Sequence, residues 1–184
     1  MATSTAFQAP LAALQRGRLA PNGADRLDLL LSYAGTILPD SHVATLISAP
    51  EGTSAWLLSS GGQWTLRSRG PAWAFDVAGD DGRVAAQSRR KGVACRLTVV
   101  SGGGECTLAA TGPQAWELAC GGRPVARVAA VRDGLEVEGG PALPQVPEPG
   151  TLLGLWLVWQ LWLGDGARKS GPSLLRRVVD ELLP

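Results

Sequence analysis

Asp40-Ser41-His42 sets the three residue types of a nucleophilic relay side by side, and His42 is the chain's one histidine. A relay needs acid, base and hydroxyl converging from separate places, each aimed at the next, and consecutive residues do not supply that. A loop or capping role for Asp40 and Ser41 is expected instead. Cys95, Cys106 and Cys120 contain no CxxC pair, so with a single histidine a metal site lacks its commonest ligands. Asp80-Asp81-Gly82 lacks the further alternating acids of a calcium loop and reads as a turn. No GxSxG or GxGxxG motif occurs, and Gly164-x-x-x-Arg168-Lys169-Ser170 has the wrong spacing to cradle phosphate. Glu136 and Glu138 fall on one strand face, which suggests solvent rather than paired acid–base work. The expectation is a non-enzymatic protein with no cofactor and no metal.

Charge placement says more. Arg67, Arg69, Arg83, Arg89, Arg90, Lys91 and Arg96 are crowded into a stretch with three acids, Asp76, Asp80 and Asp81, in a chain of net charge +1. If the strands carrying them are neighbours, Arg67, Arg69, Arg89, Arg90 and Lys91 gather near one end of a sheet. The planar guanidinium fork suits phosphate, and each basic group near an anionic membrane contributes ~1 kcal/mol. The near-neutral total argues against a nucleic-acid binder with a basic face.

The elements that must position these residues are short. Gly and Pro number 24 and 13 in 184 residues, which implies many turns, while 45% hydrophobic residues permit one packed core. From Ser54 to Glu138 apolar and polar residues alternate between turn signals. Trp73, Phe75 and Val77 alternate before Asp80-Asp81-Gly82, and Arg83–Arg89 reads as the return strand. Cys95, Leu97 and Val99 share a face; after Gly102-Gly103-Gly104 come Cys106, Leu108 and Ala110. Trp116, Leu118 and Cys120 precede Gly121-Gly122, and Leu135 and Val137 close the series. Turns about every ten residues predict an antiparallel meander closing as a sandwich or barrel, and no helical segment separates the strands as a βαβ fold requires. Ala72-Trp73 with Gly82-Arg83, and Ala115-Trp116 with Gly122-Arg123, hint at a duplicated hairpin.

The termini differ in character. The first 24 residues lack acids, and their apolar stretch is broken by Pro10, so a flexible tail rather than a secretory leader is expected. Pro141, Pro144, Pro147 and Pro149 predict an extended linker. Leu152–Leu163 then reads as a helix apolar all round, too short to span a bilayer and therefore buried, ended by Gly164 and Gly166. The terminal segment carries Leu174, Leu175, Val178, Val179 and Leu182 on one face of an amphipathic helix, with Arg176–Asp180 and Arg177–Glu181 on the other. The three cysteines are expected free and buried as small hydrophobes, which points to a reducing, cytoplasmic compartment.

A strand meander, a Pro-rich approach and then a greasy helix form an unusual order. With Trp73-Ala-Phe-Asp-Val, Asp81-Gly82-Arg83-Val84-Ala85-Ala86, the basic Arg89-Arg90-Lys91 and the Leu152–Leu163 helix, the chain resembles the tubby C-terminal-like superfamily, in its LURP-one-related and phospholipid scramblase branch. The likeness covers roughly Ser54 to Gly164. It implies a twelve-stranded barrel around a central C-terminal helix and a role at membranes or as a binding module. The branch's cysteine-rich cluster and acidic calcium loop are absent here. The fold expected is thus mainly β, a barrel over residues 25–164 surrounding a buried apolar helix. The function expected is peripheral binding of anionic lipid, or of a protein partner, through Arg67, Arg69, Arg89, Arg90 and Lys91. The alternative is an assembly subunit docking through its terminal helix.

Overall fold

The computed structural model of the chain describes residues 7, 9–34, 36–49, 53–70, 73–92, 94–100 and 104–168. Twelve antiparallel strands form a closed barrel. They are β1 (Arg16–Pro21), β2 (Arg26–Tyr33), β3 (Thr36–Ser48), β4 (Ser54–Ser59), β5 (Gly62–Ser68), β6 (Phe75–Gly79), β7 (Val84–Lys91), β8 (Ala94–Val99), β9 (Gly104–Gly112), β10 (Ala115–Cys120), β11 (Arg123–Val131) and β12 (Gly134–Gly139). Each pairs with its sequence neighbours, and β1 closes the ring on β12 with Arg16 opposite Glu138 and Leu19 opposite Leu135. Closure leaves no sheet edge around the ring. A mainly β barrel enclosing a C-terminal helix is the fold.

The helix α1 (Glu148–Arg168) fills the barrel because it is apolar on every side. Leu152, Leu153, Leu155, Trp156, Leu157 and Val158 are all buried to within 1% of full enclosure. Small residues let it approach the wall: a Cβ on Gly154 would stand 2.8 Å from Leu118 Cδ2, and one on Gly150 2.6 Å from Val99 Cγ2. Its first turn is fixed by Glu148, whose carboxylate accepts a hydrogen bond from Ser59 Oγ at the β4–β5 turn. That acid also lies at the positive end of the helix dipole. Glu148 and Gly150 lie against the β4–β5 turn and the end of β8, whereas Trp156 meets Phe75 at the start of β6, with ring centroids 6.4 Å apart. The helix therefore enters at one end of the barrel and leaves at the other. Among the described residues no helix is long and apolar enough to cross a membrane.

Several expectations are corrected. Residues 1–24 are not all tail: β1 lies within them, disguised because Arg16, Arg18 and Pro21 surround the one large inward side chain, Leu19. Asp40-Ser41-His42 is part of β3 rather than a loop. Pro39 is tolerated there because β3 pairs with β4 only from Ala44 onward. The prolines before the helix do not exclude it, since Pro149 occupies the first turn, where its missing N–H costs nothing. The helix also runs past Gly164 and Gly166 to Arg168, despite a cost of ~1 kcal/mol for each glycine. Cys106 and Cys120 are joined by a disulfide, their Cα atoms 4.1 Å apart, and only Cys95 is free. The hairpin register sets those two directly opposite each other on β9 and β10, a juxtaposition that spacing alone does not reveal. The hairpin echo dissolves as well, because Trp116 is a buried strand residue and Trp73 precedes its strand.

Candidate functional site

Strand polarity brings the sequence-predicted cations to one place. β5 ends, β6 begins, β7 ends and β8 begins at the end of the barrel where α1 leaves. Leu66, Ala86, Ser88, Cys95 and Leu97 face inward and are buried, so Arg67, Arg89, Lys91 and Arg96, at the alternate positions, face outward. Register places Arg67 opposite Asp76, which stands opposite Gln87, and Arg89 opposite Arg96. Like charges directly across a strand pair repel. Arg96 is relieved by Glu105 at 2.9 Å. Among the described residues no acid lies within ion-pair reach of Arg67, Arg89 or Lys91.

The other two predicted residues play different parts. Arg90 falls on the inward side of β7 at the mouth, where its Nε donates to the Gly92 carbonyl at 2.9 Å. Arg69 is exposed but already paired: its Nε lies 2.8 Å from Asp76 Oδ1, and its Nη2 donates to the Ser88 carbonyl at 2.8 Å. Gln87 Nε2 donates to the same Asp76 oxygen at 2.9 Å. Arg83, with Asp81 beside it, belongs to the β6–β7 turn at the opposite end. The predicted partner-binding residues Leu174, Leu175, Val178, Val179 and Leu182 lie outside the described residues.

Sequence reading missed what Arg69 supports. Trp73 holds φ +69°, a left-handed backbone that a bulky L-residue adopts only when its surroundings impose it. Ser88, 1% exposed, imposes it. Its hydroxyl donates to the Trp73 carbonyl at 2.7 Å and accepts from the Phe75 N–H at 3.2 Å. Trp73 packs half-buried at this mouth, as does Phe75, and Leu161, Trp162 and Leu163 are half-buried where the helix emerges. Trp162 packs on Trp159, centroids 4.9 Å apart. The exit mouth thus combines indole rings with a wall on which Arg67, Arg89 and Lys91 have no ion pair among the described residues, Asp76 standing between Arg67 and the other two.

The second polar cluster is on β2 and β3. Asp28 accepts from Asn22 Nδ2 at 2.6 Å, Arg26 Nε at 2.9 Å and Thr45 Oγ1 at 2.7 Å. His42 Nε2 is 3.2 Å from Asp28 and 2.7 Å from Thr45 Oγ1, and Phe7 stacks on the imidazole at 4.9 Å. A proton relay needs its acid and its hydroxyl on different ring nitrogens. Here both meet Nε2, while Nδ1 is buried without a partner among the described residues. Burial works to raise the Asp28 carboxyl. The hydrogen bonds from Asn22, Arg26 and Thr45, with the Arg26 charge, outweigh it and hold the group below its ordinary value. The arrangement ties two strands together.

No protein-family model matches the chain, and no curated protein or solved structure matches it.

Proposed function

We propose that the protein is a non-enzymatic binding module that docks on anionic membrane surfaces with the helix-exit end of its barrel. The supporting observation is the convergence there of Arg67, Arg89 and Lys91, which make no ion pair among the described residues, with the half-buried indole of Trp162. Cations draw the protein to lipid phosphates, and an indole ring such as that of Trp162 suits the headgroup layer, where one edge is apolar and the other wet. Arg69 and Arg90 are exposed at the same mouth and belong to the proposed surface, Arg69 sharing its charge with Asp76 and Arg90 bonded to the Gly92 carbonyl. The resemblance to the tubby C-terminal-like superfamily belongs to the same reading, as does peripheral attachment to a membrane; the reducing, cytoplasmic compartment expected from free cysteines loses its ground with the Cys106–Cys120 disulfide.

Flotation of the purified protein with neutral and with phosphatidylserine-containing vesicles, at low and high salt, tests it. Binding to the anionic vesicles alone, weakened by salt, is expected. Equal flotation with both vesicle types, or with neither, would remove the reading.

A further inference from the structure

Four large apolar side chains stand exposed among the described residues: Tyr33, Leu38, Trp56 and Val100. Tyr33, Leu38 and Val100 lie at the end where the helix enters, at the β2–β3 tip and just after β8. Trp56 alone of these belongs to the exit half of the barrel wall, two residues from the start of β4. Ala55 and Leu57 are buried at 1% and 0%, so Trp56 faces outward, and it is 40% exposed.

A single exposed apolar residue needs no explanation, but Trp56 has company. Ile47 is directly opposite on β3 and Thr65 directly opposite on β5, with Arg67 the diagonal neighbour one step nearer the exit end. Leu58 follows on the same outward face. An indole beside a guanidinium that makes no ion pair among the described residues, on a wall that continues past Asp76 to Arg89 and Lys91, has the chemistry of the headgroup–acyl boundary.

Resting on the membrane reading above, we infer that the β3–β5 wall is part of the docking surface and that Trp56 seats in the headgroup layer of an anionic bilayer. The barrel then leans on this wall rather than standing squarely on its mouth. Charge complementarity selects the occupant: Arg67 flanks the indole, and Arg89, Lys91 and the exposed Arg69 outnumber the one acid, Asp76, on the same end of the wall.

Trp56→Ala tests the energetic role, since an exposed side chain is dispensable for folding and the thermal melt checks that. Affinity for phosphatidylserine vesicles is expected to fall by about tenfold, the scale of losing one interfacial tryptophan. Placement is tested independently by putting an environment-sensitive nitrobenzoxadiazole label at Trp56→Cys, with Val100→Cys at the opposite end as control. The native Cys95 is buried and the other two cysteines are joined, so the label is site-selective. A blue shift and protection from aqueous quencher at the first position, with neither at the second, is expected. Wild-type binding that persists unchanged in Trp56→Ala, with the label remaining in water, would overturn the leaning orientation and leave the membrane reading intact. Failure of the wild type to bind any vesicle would overturn both.

Discussion

Ser88 shows how much one buried hydroxyl controls. It satisfies the Trp73 carbonyl and the Phe75 N–H together, while its own carbonyl receives Arg69. Ser88→Ala leaves two backbone groups without that partner, and urea unfolding should show a loss of about 1–3 kcal/mol. Asp28 gives the chain an acid-sensitive joint. Its folded-state pKa lies below the ordinary 3.8, so its contribution is fully present above that value and is lost as pH falls through the lower, folded-state one. Asp28→Asn should flatten this acid limb of the stability–pH curve, and titrated urea unfolding of both proteins checks it. Cys95 is the inert counterpart: burial pushes its thiol up to about 12. At neutral pH the native protein should therefore react with no equivalent of a thiol reagent, and the unfolded, unreduced protein with one.

At the scale of elements, the helix and the hairpins divide the stability between them. Trp156 is the largest fully enclosed side chain, and Trp156→Ala should cost about 3–5 kcal/mol by emptying the barrel centre. The Cys106–Cys120 bridge closes a short loop, its ends 14 positions apart in sequence. Such a bridge contributes roughly 3 kcal/mol, and comparing unfolding with and without reductant measures it. These elements differ in how legible they were. Alternation exposed the strands from Ser54 onward because Leu57, Leu66, Val77, Leu97 and Leu118 face the helix while polar neighbours face water. β1 was invisible because a strand with one large inward residue has no period to detect. The disulfide depends on register, which two cysteines fourteen apart do not announce. Trp73 read as a strand residue because spacing carries no sign of φ. The outward position of Trp56 was readable in Ser54-Ala55-Trp56-Leu57-Leu58, where the indole falls on the serine side of the alternation.

At the scale of the whole molecule, the barrel is polarised. Its entry end is locked by Glu148 and Ser59, and its exit end gathers cations and indoles around a helix that continues outward. What matters for the membrane account is therefore where charge sits, since the net charge is only +1. The decisive comparison reverses equal charge at the two ends. Arg67, Arg89 and Lys91 change to Glu in one variant; Arg16, Arg83 and Arg123, exposed at the opposite end, change to Glu in the other. Both variants are titrated against phosphatidylserine vesicles. With ~1 kcal/mol for each basic group, the exit-end variant should lose at least about 100-fold in affinity, and the entry-end variant should stay within a few-fold of wild type. Equal losses in the two variants would contradict a docking surface at the helix-exit end.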